Sequence, residues 1–303
     1  MFTQFVLTGS IRSGTSVLYA TLGETVTERS GVINLGTEGC MLMGACFGFM
    51  ATAQTGNPFL GVLAAIAAGG ALSLIHGYLV IDRKANQLAS GLAVMFFGLG
   101  LTALVGRPYV GQDIGGFNPV EIPVLSGIPF LGQILFKQDL LTYLAYFLGP
   151  IIWWVMYRTR WGLSLRAVGE SQEVAFSTGR NPRLIQYGTV FFGGMMSGLG
   201  GAQLSLAYTH SWVENMTSGR GFIAVALVIF AMWHPLRAVA GALLFGGATS
   251  LQLQLQTLGV GVSQFVLDML PYLVTLAILL IWSQQSKRAV PAGLAVVFRR
   301  SGG

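Results

Sequence analysis

Charge is what this sequence has least of. Its 17 Lys or Arg and 11 Asp or Glu residues make up 9% of 303 positions, against 53% hydrophobic residues. A soluble domain of this size would lack the ionic side chains its surface needs. Cysteine is nearly absent: Cys40 and Cys46 lie in one apolar segment, which argues against a structural disulfide or a metal site. There is no GxxxxGK followed by Ser or Thr and no sizeable soluble region to hold one, so no ATP-hydrolysing site is expected in this chain. No catalytic trio stands out by its spacing. No basic platform interleaved with aromatics accompanies the net charge of +6, which sets nucleic acid aside as a partner. A basic start followed by a compact processing site, the pattern of a cleavable signal, is also missing.

What is present is apolar sequence in blocks, with 42 glycines running through it. At about 20 residues per crossing plus connections, an all-α polytopic membrane chain of about nine crossings, eight to ten at the limits, fits this length. Glycine lets helices approach closely and allows breaks where backbone lines a cavity, so tight packing and broken or re-entrant helices are expected.

Taken in order, residues 5–24 form a weak first segment. Arg12 and Gly14 interrupt it, so it should line a cavity or pack inside the bundle. TERSGVINLGTEG at 27–39 is too polar for a lipid-facing helix and too apolar in its surroundings for an ordinary loop. It reads as a cytoplasmic turn, as a network joining Glu28, Arg29 and Glu38, or as a break bordering a pathway. Further crossings follow at 40–53, 59–81 and 88–106. A Pro- and Gly-containing external connection occupies 107–138, and 140–157 returns. Residues 187–207 carry the close-contact spacings Gly194 to Gly198 and Gly193 to Ser197. Residues 221–233 are short for a span and are bounded by Gly221 and His234-Pro235, which reads as half of a broken helix or as a tilted crossing where the bilayer is locally thinned. Gln252, Gln254 and Gln256 alternate as in a strand, yet a lone strand cannot span a bilayer, so 238–255 is read as a helix. The last crossing is 265–282, ahead of a tail at 283–303.

Orientation follows from residues 158–186, which hold Arg158, Arg160, Arg166, Arg180 and Arg183 against Glu170 and Glu173. So basic a loop belongs on the cytoplasmic side. With Arg29, Arg83, Lys84, Arg237, Lys287, Arg288, Arg299 and Arg300 it places 13 cations inside, against Arg107, Lys137 and Arg220 outside. The carboxy terminus is then cytoplasmic. GLSLRAVGESQEVAF within this stretch reads as one amphipathic helix, with Leu163, Ala167, Ser171 and Val174 on one side and Arg166, Glu170 and Glu173 on the other.

The chemistry implied is binding and gating in a membrane cavity. Isolated polar groups, Asn34, Glu38, His76, Gln87, Gln203 and Asp268, are the candidates for a translocation pathway, and they suit a hydrogen-bonding solute better than a strongly charged one. Each also has a structural reading, satisfaction of a break or a helix contact; for His76 that is a bond to a neighbouring backbone carbonyl rather than a proton relay. A proton- or ion-coupled secondary transporter using His76, Glu38 and Asp268, and a helical membrane scaffold, remain as readings from other classes.

Three stretches carry a family resemblance: ERSGVINLGTEGCMLMGA at 28–45, GLSLRAVGESQEVAFSTGRNP at 162–182 and SGRGFIAVALVIFAMWHPLRAVAGALLFG at 218–246. Together they resemble the permeases of bacterial ABC importers for ribose-type sugars, and more closely the nucleoside branch. The resemblance implies a type II importer-like bundle forming a single transmembrane permease domain over 1–303 in the cytoplasmic (inner) membrane. It implies a second permease, more often a different paralogous chain than a copy of the same one. It also implies two nucleotide-binding sites on a cytoplasmic ATPase, and an external binding protein, either a lipoprotein or periplasmic. No cofactor is then bound by this chain; ATP and magnesium belong to the partner ATPase. The family's coupling helix maps onto residues 162–177, with Gly162, Leu163, Arg166, Ala167, Gly169, Glu170 and Glu173 at the ATPase contact. WHPLRAV departs from the family in having His234 where Asn usually precedes the proline. Nucleosides are the expected solute, with ribose or another simple sugar as the alternative.

Overall fold

The computed structural model describes residues 2–259, 261–286 and 290–294. Helices occupy each of the nine apolar segments, and among the described residues three short α-helices lie between them. They are α1 (Phe2–Arg29), α2 (Thr37–Thr55), α3 (Pro58–Gly77), α4 (Gln87–Gly106), then a small α5 (Leu131–Leu135), α6 (Leu140–Arg158), α7 (Arg160–Glu170), α8 (Gln172–Ser177), α9 (Pro182–Gln203), α10 (Arg220–Phe230), α11 (Pro235–Thr257) and α12 (Gln264–Ser286). Four are long and apolar enough to cross a membrane: Pro58–Asp82, Gln87–Tyr109, Leu140–Arg158 and Pro235–Thr257. The count of nine crossings is therefore not established by helix length. α1, α2 and α9 are long but rich in polar and small residues, and α10 has only 11 residues. The tail cations Lys287, Arg288, Arg299 and Arg300 lie outside the described residues.

α1 is the axis. It runs unbroken through Arg12 and Gly14 and is buried almost continuously from Ser10 to Glu28, packed against α6, α9, α10 and α11. Its sequence explains how a helix so polar can be central. Thr15, Thr21, Thr25 and Thr27 each return their hydroxyl to the carbonyl four residues earlier, so these donors are satisfied within the helix itself. The outside is the reverse. Phe59 and Leu63 on α3, Phe96 and Leu104 on α4, and Phe147 and Trp154 on α6 are exposed. Apolar side chains outward and small residues inward is the arrangement a hydrocarbon solvent selects, because association there depends on close packing rather than on burying apolar area.

The closest packing is at α9, where the two spacings read from the sequence serve two neighbours. Gly194 and Gly198 face α3, and Gly193 faces Thr27 of α1. At Gly44 of α2 a Cβ would lie 2.2 Å from the carbonyl oxygen of Gly198.

Two expectations change. The stretch 162–176 is not one helix: α7 ends at Glu170, and Ser171 in extended backbone caps α8 by accepting a bond from Val174 N. Ser171 competes for backbone donors as N-cap residues do, which ends the first helix and starts the second. Second, the connection 107–138 contains a small antiparallel ladder, β1 (Val120–Glu121) with β2 (Lys137–Gln138), in register Val120 to Gln138. These two-residue strands are too short to announce themselves by alternation.

Gly44→Ala should push α2 away from α9 at an overpacking cost of about 1–3 kcal/mol. Gly100, with nothing within 4 Å of its would-be Cβ, should accept alanine with unchanged or improved stability, since alanine is the better helix former by about 1 kcal/mol. Melting in detergent checks both, and equal midpoints for the two variants would contradict the packing argument.

Candidate functional site

Three of the six pathway candidates converge on the non-helical residues 30–36 between α1 and α2, all buried but Leu35. His76 Nε2 bonds the carbonyl of Ile33 at 2.9 Å and its Nδ1 bonds Ser90 Oγ at 3.1 Å. A carbonyl only accepts, so Nε2 carries the proton and Nδ1 receives the serine hydroxyl. Gln87 Oε1 accepts from Ile33 N at 2.8 Å. Asn34 gives its N–H to Glu24 Oε1 at 2.7 Å and accepts from Gly36 N with its own Oδ1. The stretch is thus a buried break whose backbone is satisfied by side chains, rather than an exposed turn.

Glu38 reaches elsewhere. Its Oε1 accepts from Thr217 Oγ1 at 2.6 Å and Gly219 N at 2.8 Å, and its Oε2 from Gly221 N at 2.6 Å. The carboxylate therefore sits on the N-terminus of α10, where free N–H groups and the helix dipole both favour negative charge. Gly221 permits it, since a Cβ there would be 2.4 Å from Glu38 Cα. The network of Glu28, Arg29 and Glu38, one of the readings open for 27–39, does not form. Glu28 accepts from Trp233 Nε1, and Arg29 donates to the carbonyls of Met232 and Trp233. α1 carries Glu28 and Arg29 to the other end of α10, so they cannot meet Glu38.

Beside that α10 terminus, a polar cavity of about 570 Å³ is lined by Arg12, Ser13, Lys137, Tyr208, Ser250 and Gln254 together with Phe5 and neighbours. Arg220 donates to Ser13 O and Ser16 Oγ, both at 3.1 Å, with its guanidinium 6.0 Å from the Tyr208 ring centre. Ser13 Oγ donates to Tyr208 Oη at 3.2 Å. Gln203 lies next to this group: Nε2 donates to Arg12 O at 3.3 Å, while its buried Oε1 has no partner among the described residues. Arg12 was marked by its place in an apolar segment. Arg220 carries a similar signal, a cation opening an apolar helix, whereas Tyr208 carries none and Gln254 only its place among the alternating glutamines.

Asp268 stands apart. Exposed on α12, it accepts from Gln252 at 2.7 Å and Gln256 at 2.9 Å. Those glutamines are four apart on α11, so the alternation read from sequence is a helical i, i+4 pair holding two helices together.

At the basic end, Leu163, Ala167, Glu170 and Glu173 are exposed, and Val174 and Phe176 are 63% and 71% exposed. Leu165 and Val168 are the residues that pack back against the bundle. Gly162 and Gly169 are buried contacts: a Cβ would lie 2.3 Å from Met156 O and 2.0 Å from Arg29 O, respectively. Arg166 turns inward, its guanidinium 4.9 Å from the Tyr157 ring centre. The outward surface is therefore an apolar ridge with two carboxylates. Beneath it, a cavity of about 440 Å³ is lined by Gly31, Lys84, Asn86, Gln87, Gln172 and Gln186 among others. Among the described residues no three His, Cys, Asp or Glu side chains are placed to hold a metal, and both cysteines are free and buried.

Glu38→Ala would strand three donors at the α10 terminus, each costing about 1–3 kcal/mol. It should sharply lower the yield and melting temperature of the folded protein. Glu38→Gln, which keeps an acceptor, should lose less; an alanine variant melting like the native chain would show that the carboxylate does not hold α10.

Residues 6–282 match the protein family described as the permease component of the branched-chain amino acid transport system. The chain is 38% identical to the putative glucose ABC transporter permease TsgC13 of Haloferax volcanii, over 99% of this chain and 98% of that protein. It is 36% identical to the guanosine ABC transporter permease NupQ of Bacillus subtilis, over 86% of each. With the nucleoside ABC transporter permease NupC of Lactococcus lactis it shares 31% identity over 91% of each. With a bundle whose small residues face inward and whose apolar residues face outward, and with a match running from α1 into α12, the chain belongs to this family of ABC transporter permeases and is a multi-pass membrane protein.

Proposed function

We propose that this chain is the transmembrane subunit of an ATP-driven importer of nucleosides, and that it couples closure of a cytoplasmic ATPase to alternating access. The observation that carries the reading is the pairing of a polar cavity at one end of α10 with an exposed apolar and acidic ridge at the basic end, on α7 and α8. Members of the family are transport subunits rather than ATPases, so the energy must enter through such a surface. Leu163, Val174 and Phe176 supply area for a partner groove, and Glu170 and Glu173 supply charge-assisted contacts at its edge. ATP and magnesium are bound by that partner.

The cavity around Ser13, Tyr208, Ser250 and Gln254 offers hydroxyl and amide groups, and among the residues lining it no carboxylate. With the cations Arg12 and Lys137 also in its lining, a polyhydroxylated solute suits it better than a cation. Nucleosides are favoured by the ERSGVINLGTEG stretch and by two relatives named for guanosine and nucleoside. A simple sugar is the second reading, favoured by the 38% identity to a putative glucose permease. The proton-coupled alternative loses support, because His76, Glu38 and Asp268 bond to separate partners and share no hydrogen bond. The assembly proposed contains a second, paralogous permease, an ATPase with two nucleotide sites and an external binding protein. It lies in the cytoplasmic membrane with the basic end inside.

The test is uptake of labelled adenosine, guanosine, uridine, ribose and glucose by vesicles holding the chain with its candidate partners. Nucleoside uptake that needs ATP and every partner is expected. Uptake of sugar alone selects the second reading, and uptake by this chain alone under a proton gradient overturns both. In the working assembly, Glu170→Lys should cut ATP-driven uptake about fivefold or more while leaving solute capture by the binding protein unchanged. Full uptake after that charge reversal would remove Glu170 from the ATPase contact.

A further inference from the structure

The turn between α10 and α11 has a strained backbone. Met232 and Trp233 both adopt positive φ, 52° and 54°, a conformation that costs a bulky residue about 1–2 kcal/mol. Such a turn persists only where its surroundings hold it. The end of α1 holds it: Glu28 Oε2 accepts from Trp233 Nε1 at 2.6 Å, and Arg29 Nε and Nη2 donate to the carbonyls of Trp233 and Met232 at 3.2 and 3.4 Å. Trp233 is 3% exposed and packs on Ile33 and Val228.

Two of the contacts made by α7 lead toward this turn, one through Arg29 and one through Tyr157. Gly169 presses its Cα onto the carbonyl of Arg29, where no side chain would fit. Independently, Arg166 stacks on Tyr157, whose ring centre lies 5.3 Å from that of His234, the residue after Trp233. From the turn, α10 runs 11 residues, about 16 Å, to the terminus that Glu38 caps and where Arg220 meets Tyr208 at the polar cavity. A short rod held at both ends transmits displacement as a body.

We propose that Trp233 is a positioning residue for transport. Clamped by Glu28 and Arg29, it receives the movement of α7 and passes it through α10 to the Arg220–Tyr208 pair. The strained turn is the bistable element, with the Trp233–Glu28 bond made in one arrangement and broken in the other. His234 adds the second contact through Tyr157. This proposal rests on the ATP-driven reading above.

The experiment uses the complete assembly in vesicles with labelled guanosine or glucose, whichever the native assembly imports, and reads solute imported per ATP hydrolysed. Trp233→Phe keeps a buried ring and removes the N–H; Glu28→Leu removes its acceptor; Glu28→Gln retains one. Trp233→Phe and Glu28→Leu should lower solute per ATP about fivefold or more while ATP turnover persists, and Glu28→Gln should stay within about twofold of native. A merely structural role would lower the amount of assembled complex and leave the ratio intact. If Trp233→Phe does not assemble, Tyr157→Leu, which cuts the other contact, is read in its place with the same expectation. A native ratio in the assembled variants, or equal losses in Glu28→Gln and Glu28→Leu, overturns the proposal. Failure of the native assembly to couple uptake to ATP overturns the functional reading instead, so the two failures are distinguishable.

Discussion

Seven residues between α1 and α2 lie outside any helix or sheet, and where the ends of α1 and α2 do not pair their backbone, side chains from the basic half of the molecule do. Glu24 comes from α1, His76 from α3, Gln87 from α4 and Gln186 from α9; each places a polar atom on a backbone group of residues 30–34. In hydrocarbon an unpaired amide or carbonyl costs several kcal/mol, so these bonds are obligatory rather than decorative. They also fix geometry. Four helices that each satisfy part of one short stretch cannot slide independently, and their glycine contacts then fall into place at backbone distance.

The same constraint acts at α10, with a different solution. Its terminal N–H groups are met by Glu38, a residue at the start of α2, and its far end is met by Glu28 and Arg29, at the end of α1. The break at 30–36 therefore has a carboxylate on either side, and these grip the two ends of one half-helix. Breaking α1 from α2 costs backbone pairing within the break, and the reward is that adjacent stretches of chain hold α10 at both termini. A continuous helix through 28–38 would point those carboxylates along one rod and leave α10 without caps.

How far this was legible in the sequence depends on the range of the interaction. The apolar blocks and the half-helix at 221–233 were readable, because length and periodicity are local quantities. So were the two glycine spacings of α9, since residues four apart share a face. The partners of Glu28, Arg29 and Glu38 were not. They lie on α10 and the turns flanking it, roughly 180 to 205 residues along the chain, and nothing at positions 28–38 specifies them. The three side chains were grouped because they are neighbours in sequence, yet a helix end and a break turn neighbours in opposite directions. Arg166 shows the same error at smaller scale. A helical projection set it beside Glu170, whereas Tyr157, at the end of α6, draws it inward as a stacked cation. The cavity was the least legible feature, because Ser13, Tyr208 and Gln254 come from three distant segments and nothing in any one of them points to the other two.

The division between rigid and movable parts follows from what each contact tolerates. Where α2 and α9 meet, carbonyl oxygen stands against glycine, and even a methyl group has no room; such an interface has one arrangement. α10 is different in kind. Its sides are apolar and pack on Val17, Ala20 and Phe245, contacts without direction, while everything directional lies at its ends. An element held by directional bonds at its termini and by non-directional packing along its length can shift between two discrete bonding patterns without leaving any backbone group stranded midway. That property sets α10 apart from the central helices, whose side-chain bonds are distributed along their length, and makes it the part of this permease best suited to move.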